Sequence, residues 1–273
     1  MNIIAIDSTG MTASVAICCD GRITGVYSIT HKKTHSETLL PMLDEVKRMT
    51  EFDPSMADAI AVAAGPGSFT GLRIGAATAK GMAQALDIPI IPVPTLDAMA
   101  YQFCGTDRVV CPMMDARHSQ VYSGIYAFDE TAALEVLSEN RAVDAAEQVE
   151  AAVGFAKNRG TGIVFLGDGA DAYKDLIKDL MKEKTDVSYI FAPAHRNTQD
   201  AGCVAVLGEI LFGQGKAVTA DAFAPEYLRP SQAERVRNEK CDEKKSAGNT
   251  IYTLSAPVIS PLSLSPAPPG RTA

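Results

Sequence analysis

The feature that most constrains the fold is a glycine-rich turn between an apolar run and a long helical pattern. The apolar run covers residues 59–63, the turn reads Ala-Gly-Pro-Gly-Ser from residue 64, and the helical pattern continues to about Leu86. Gly65 and Gly67 lack a Cβ and tolerate positive φ, so other atoms can approach the backbone closely. Ser68 is a typical N-cap. The stretch predicts strand, turn and helix, with backbone N–H groups arranged as in sites that receive phosphate.

Spacing alone leaves the role of this turn open. The P-loop pattern Gly-x-x-x-x-Gly-Lys-Ser/Thr is absent, and the next glycine after Gly67 is Gly71, which does not fit Gly-x-Gly-x-x-Gly. Many α/β proteins have similar turns that bind nothing. Phosphate binding and simple close packing are therefore both consistent with the pattern.

The composition limits the class of protein. The 273 residues carry a net charge of −8, which argues against a surface that binds nucleic acid without a basic partner. No apolar run approaches the roughly 20 residues that cross a bilayer, and the N-terminus lacks the basic segment of a signal peptide. The six cysteines are scattered, without a Cys-x-x-Cys pair. We expect a cytoplasmic protein with reduced thiols and no membrane contact.

The apolar periodicity predicts two successive groups of strands and helices, here called the first and second lobes. Strands of the first lobe are expected at 2–8, 12–19, 22–29, 58–63 and 88–93, with helices at about 35–50 and 69–86. Asp20-Gly21 is a typical type I′ hairpin turn. The first helix begins either near Thr34, where Glu37 would complete a capping box, or at Thr38, because Pro41 interrupts the pattern. The second lobe starts near Asp107, with strands at 108–115, 119–128, 133–138, 162–166 and 187–191 and helices at 144–158 and 199–213.

Five segments, in order, resemble the TsaB (YeaZ) family of the actin-like, sugar-kinase-like and Hsp70-like ATPase superfamily. They are IAIDST at 4–9, HSETLLP at 35–41, AGPGSFTGLRIG at 64–75, GDGA at 167–170 and PEYLRP at 225–230. The resemblance implies a two-lobed actin-like α/β fold, each lobe a mixed sheet flanked by helices. It places the N-terminal lobe at 1–105 and the C-terminal lobe at 106–240, with a final helix returning toward the first lobe. The Pro/Ser/Ala-rich tail at 241–273 is expected to be disordered.

The resemblance also places degenerate nucleotide loops. The first hairpin occupies the position where nucleotide-binding relatives face phosphate and metal, although Asp7 could equally end its strand and cap the turn. A second Gly-x-Gly turn lies where the superfamily carries its adenosine motif. We expect no required cofactor and leave weak nucleotide binding open. The residues concerned are Asp7, Ser8, Thr9, Gly65, Gly67, Gly167 and Gly169.

A metal site is not expected. By resemblance, the partner protein TsaD carries a His-x-x-x-His pair where this chain has Thr95 and Met99, which are poor ligands for such an ion. His31 and His35 are four residues apart, but no third ligand lies near them in the sequence.

The resemblance implies a non-catalytic subunit of the machinery that makes N6-threonylcarbamoyladenosine (t6A) in tRNA. In that system TsaD holds the metal and modifies the adenosine beside the anticodon, and TsaE is the ATPase that resets the complex. We expect TsaD as the main partner, TsaE and tRNA as partners through the complex, and a homodimer when the chain is alone. The alternatives are an ATP-dependent small-molecule kinase, which would need an acidic residue absent from 64–67, and a peptidase, for which no catalytic constellation is evident.

We predict that two helices of the first lobe form the partner interface. Gly71, Gly75 and Ala79 recur every fourth residue, and small residues let another helix approach closely. This stripe either faces outward or packs on the lobe's own sheet. The preceding helix has more apolar positions than one sheet-facing stripe needs. Its contribution to the predicted interface is Leu39, Leu40 and Leu43.

Overall fold

Two five-stranded sheets with the same strand order organise the protein, whose computed structural model describes residues 1–31 and 34–229. The first sheet has the order β3-β2-β1-β4-β5, with β1–β3 antiparallel and β4 and β5 parallel to β1. Asp20 and Gly21 both have positive φ, as the predicted hairpin turn requires. Its strands are β1 (Asn2–Asp7), β2 (Thr12–Cys19), β3 (Arg22–Thr30), β4 (Ala59–Gly65) and β5 (Ile90–Pro94).

The second sheet repeats this topology. Its order is β10-β9-β6-β7-β8, again with three antiparallel strands followed by two parallel ones. The strands are β6 (Val109–Arg117), β7 (Gln120–Phe128), β8 (Leu134–Asp144), β9 (Ile163–Leu166) and β10 (Tyr189–Phe191). The duplicated order and the flanking helices confirm the predicted two-lobed actin-like fold class.

Strand β8 is longer than the sequence predicts. The strand continues six residues beyond 138, to Asp144, because it pairs with β7 along its length, for example Tyr122 with Ala142. Its second half is polar and largely exposed, since β8 forms the sheet edge, so apolar periodicity could not reveal it.

Seven helices accompany the sheets in the described part of the chain: α1 (His35–Thr50), α2 (Phe69–Leu86), α3 (Thr95–Tyr101), α4 (Ala145–Arg159), α5 (Asp168–Ala172), α6 (Lys174–Lys182) and α7 (Ala201–Gly213). Helix α1 begins directly after Thr34 and contains Pro41, so the earlier of the two predicted starts is correct. The Thr34 side chain makes no capping bond. Within the described residues, no helix combines the length and apolarity needed to cross a membrane.

Helices α3 and α7 connect the two sheets. Helix α7 follows β10, but its apolar residues, such as Val204 and Ala205, pack on the first sheet. Helix α3 follows β5, yet Leu96 and Met99 pack with Val110 and Tyr126 of the second sheet. Both helices also contact each other.

The structure describes one compact unit, Met1–Arg229. The predicted tail at 241–273, and the end of the predicted C-terminal lobe at 230–240, lie outside the described residues.

Candidate functional site

The hairpin after β1 is closed by its own side chains. The Asp7 carboxylate accepts hydrogen bonds through Oδ1 from the backbone N–H of Thr9 (2.9 Å) and from its hydroxyl (2.7 Å). The Ser8 hydroxyl donates to the carbonyl of Gly71 (2.8 Å). These contacts are those of a side chain that ends a strand and caps a turn, the alternative that the sequence left open for Asp7.

The Asp7 carboxyl group is nonetheless unusual. Asp7 is fully buried, and Oδ2 accepts no hydrogen bond from the described residues. Burial raises the pKa of Asp7 to about 6, because desolvation outweighs the two bonds from Thr9. A buried oxygen that accepts no hydrogen bond lowers the free energy of unfolding, so this arrangement of the hairpin is locally destabilising.

The first glycine turn is in contact with the protein's own backbone. Gly65 has φ +126°, and a Cβ there would collide with the carbonyl oxygen of Glu226. A Cβ on Gly67 would lie 2.6 Å from the carbonyl oxygen of Thr9. That oxygen accepts a hydrogen bond from the Ser68 N–H (2.7 Å). Ser68 caps α2 as predicted, through a bond from the Gly71 N–H. Both glycines are therefore accounted for by close packing of protein atoms.

The second glycine turn is packed in the same way. Gly167 has φ +96°, and a Cβ there would collide with the carbonyl of Met113 in β6. A Cβ on Gly169 would lie 2.9 Å from the same carbonyl group. The Gly167 N–H donates to Oδ1 of Asn197 (2.8 Å). Beside it, burial raises the pKa of Asp168, whose Oδ1 accepts the N–H of Asp115. This turn also approaches protein backbone rather than an open space.

Residues 225–229, which we call the strap, run from the first glycine turn to the second sheet. The Glu226 N–H donates to the carbonyl of Ala64 (2.7 Å). The Tyr227 ring lies 5.0 Å from that of Phe69, at the start of α2. Arg229 then donates through Nη1 to the carbonyl of Ala116, in the β6–β7 hairpin (3.1 Å). The sequence marked these residues only as a family segment and did not indicate that they bridge the sheets.

A partly buried polar cluster around Asp97, which the sequence did not reveal, fixes α3 to the second sheet. The Tyr126 hydroxyl donates to Oδ1 of Asp97 (2.8 Å), and the Asn140 amide donates to the same oxygen (3.2 Å). Burial raises the pKa of Asp97. No sequence pattern marks this cluster, because its three members come from α3, β7 and β8.

The side chains of Thr95, Met99 and His35, which the sequence raised as metal-site positions, make contacts within the protein. The Thr95 hydroxyl accepts the N–H of Gly65 (3.2 Å), and Met99 lies in the core with the second sheet. Nε2 of His35 is 2.8 Å from the carbonyl oxygen of Gly10. Within residues 1–31 and 34–229, no three His, Cys, Asp or Glu side chains are grouped as metal ligands.

The stripe on α2, whose orientation the sequence left open, faces inward, so its outward alternative is wrong. Gly71, Gly75 and Ala79, here called the inner row, are buried against the protein. A Cβ on Gly71 would collide with the carbonyl oxygen of Ser8, one on Gly75 would lie 2.5 Å from the Ser8 hydroxyl, and Ala79 belongs to the first core. The glycines are required because the β1–β2 hairpin lies directly on this face of the helix.

Two of the three leucines assigned to the interface are core residues as well. Leu39 and Leu43 are buried with β2 and β4 residues in the first core, so that part of the prediction is wrong. Leu40 faces away and is 56% exposed. Helix α1 therefore has a normal core-facing stripe and an exposed apolar residue beside it.

A different set of small residues faces outward on α2. Ala77, Gly81 and Ala85 are exposed and lie at intervals of four residues; we call these three the outer row. No atom lies within 4 Å of the position that a Gly81 Cβ would take. The charged residues of α2 are Arg73 and Lys80, both positive, whereas α1 also carries carboxylates. The outer row would let a partner helix approach closely.

Comparisons with known proteins agree with this architecture. Residues 16–236 match the family model described as TsaD, tRNA N6-adenosine threonylcarbamoyltransferase. A tRNA threonylcarbamoyladenosine biosynthesis protein TsaB from Bacillus subtilis is 31% identical over 86% of this chain and 96% of its own length. The protein of the same name from Escherichia coli is 32% identical over 85% of this chain and 96% of its own length. The solved structure of YeaZ from Pseudomonas aeruginosa superposes with a TM-score of 0.65, at 22% identity, over 83% of this chain and 99% of that one.

Proposed function

The chain belongs to the TsaB family of tRNA threonylcarbamoyladenosine biosynthesis proteins, and from this premise we propose that it is a non-catalytic subunit that binds and activates TsaD. TsaE and tRNA would join through the assembled complex. The chain alone would pair with a second copy of itself. It would require no cofactor or metal of its own.

One observation carries the non-catalytic part of this proposal. Both glycine turns that could receive a nucleotide are in contact with backbone atoms of the chain, namely Thr9, Glu226 and Met113. A phosphate held by backbone N–H groups needs space in front of the turn. The Glu226 carbonyl and the strap take up space at the first turn, which disfavours the kinase alternative.

The outer row of α2 supports the partner-binding part. TsaD gives its name to the family model that matches residues 16–236, so the two proteins share a related lobe. Related lobes can pair about a pseudo-twofold axis through the same surface that pairs two identical copies. Small residues permit a short distance between helix axes, and the exposed Leu40 supplies an apolar contact. The homodimer and the TsaD complex would then compete for one surface.

Reconstitution tests this function. Purified TsaD, TsaE, tRNA and a threonylcarbamoyl donor are combined with and without the chain, and t6A is quantified after nuclease digestion. We expect omission of the chain to lower the yield at least tenfold, while the chain alone hydrolyses no ATP. An undiminished yield without the chain would remove the subunit role. ATP turnover by the chain alone would instead favour the kinase alternative.

A further inference from the structure

The strap makes contacts with both sheets within five residues. At its start, the Glu226 N–H is bonded to Ala64, and its carbonyl lies against Gly65, at the end of β4. At its end, Arg229 is bonded to the carbonyl of Ala116. Between them, Tyr227 packs on Phe69, whose ring also lies 4.0 Å below the Arg73 guanidinium. The aromatic contact gives the segment a side-chain anchor on α2 in addition to its backbone bond.

The sheets have another connection, through helices α3 and α7. Apolar packing and the Asp97 cluster attach α3 to the second sheet, while α7 packs on the first, and the side-chain amide of Gln102 donates to the carbonyl of Thr198 (2.8 Å). Helices that pack between two lobes can slide or rotate by small amounts. The Arg229 bond is separate from this apolar layer, because Ala116 belongs to the β6–β7 hairpin beyond the buried part of β6.

We propose that the strap is a built-in clamp that holds the two sheets of this chain at one fixed angle. Two separate attachments, the α3–α7 layer and the strap, restrict the rotation that one attachment alone would permit. Gly65 is then required so that the strap can lie directly on the β4 turn. The proposal concerns the chain by itself and stands independently of whether it activates TsaD.

A distance measurement between the sheets tests the clamp. Spin labels are attached through non-natural residues at Arg22 on β3 and Glu139 on β8, both exposed and outside the outer row. Labelled chain is diluted in excess unlabelled chain, so that pulsed electron paramagnetic resonance reports only the distance between the two labels within one chain. With the wild-type strap we expect one narrow distribution of the distance between the two labels. In the double variant Tyr227→Ala/Arg229→Ala we expect the distribution to become at least twofold wider or to gain a second, longer distance.

The matched control is Arg108→Ala. Arg108 likewise donates one bond through Nη1 to the second sheet's periphery, to the Ser188 hydroxyl (3.2 Å), but it lies far from the strap in the fold, at the opposite end of β6. This control should leave the distance distribution unchanged. The distribution for Arg229→Lys should be wider than that of the control and narrower than that of the double variant. If the double variant does not fold by circular dichroism, Arg229→Ala alone is measured. A folded strap variant with the original narrow distribution would overturn the proposal.

Discussion

The inner and outer rows of α2 contain similar residues but have opposite environments. Gly71, Gly75 and Ala79 lie against the β1–β2 hairpin and the first core, where added atoms collide. Ala77, Gly81 and Ala85 lie on the other side of the helix and are exposed, and the space beside Gly81 is open. Small residues on this helix therefore serve different purposes on its two sides: one side admits the chain's own hairpin, and the other leaves an open surface.

The largest effect is expected from a charge in the inner row. Ala79→Arg would place a guanidinium in the apolar core, where Ala79 has no exposed surface. Overpacking and an unpaired buried charge together should cost more than about 4 kcal/mol and unfold much of the protein. Circular dichroism during heating measures this. A cooperative transition at the wild-type temperature would show that the inner row is not a core surface.

A single methyl group gives a milder test of the same side. In Gly75→Ala the new Cβ would lie 2.5 Å from the Ser8 hydroxyl, which is already bonded to Gly71. The hydroxyl must move and its bond weaken, so we expect a loss of about 2 kcal/mol despite the better helix propensity of alanine. Urea unfolding measures the change. A gain in stability would indicate that the hairpin adjusts freely.

The hairpin that covers the inner row should also respond to pH. Folding raises the pKa of Asp7 from 3.8 to about 6, so the folded state binds the proton more tightly than the unfolded state. The stability from this group is complete below about pH 4 and is lost as the pH rises through about 6. Asp7→Asn removes the titration. Between pH 4 and pH 7.5 the wild type should lose about 2–3 kcal/mol relative to the variant.

Unfolding curves of both proteins across this pH range provide the measurement for Asp7. The relative change between pH values is compared, because the asparagine shifts the free energy of unfolding by the same amount at every pH. Parallel pH profiles for the two proteins would mean that Asp7 does not titrate differently in the folded state.

The smallest effect is expected in the outer row. Gly81→Ala adds a methyl group to open space on an exposed helix, so only helix propensity changes. We expect the free energy of unfolding to rise by about 1 kcal/mol, opposite in sign to Gly75→Ala. The same urea experiment compares the two variants. A loss of stability in Gly81→Ala would instead indicate that other atoms pack against this side of the helix.

The sequence predicted the positions of most strands and helices because these signals are local, whereas the two-lobed fold was inferred from the family resemblance. Apolar runs, the Asp20-Gly21 turn and the Ser68 cap each depend on neighbouring residues. It could not decide which side of α2 faces inward, because alanine and glycine occur on both sides. The bond between Arg229 and Ala116 joins residues far apart in the chain, and nothing local encodes it. The sequence identified the glycines of the two turns, but it could not identify the backbone atoms that lie against them, because these come from distant parts of the chain.

We propose above that the outer row of α2 binds TsaD, and one pair of variants tests this proposal most directly. Gly81→Arg introduces a bulky cation in the middle of this row. Gly154→Arg introduces the same residue at an exposed glycine of α4, where no atom lies within 4 Å of the new Cβ position either. Both replacements favour helix, so both variants should fold.

Binding of each variant to purified TsaD is measured by isothermal calorimetry, with sedimentation of the chain alone reporting the homodimer. We expect Gly81→Arg to weaken the TsaD complex at least about 30-fold, roughly 2 kcal/mol, and to dissociate the homodimer, while Gly154→Arg stays within about threefold of the wild type. Wild-type affinity for TsaD in a folded Gly81→Arg variant would contradict the account.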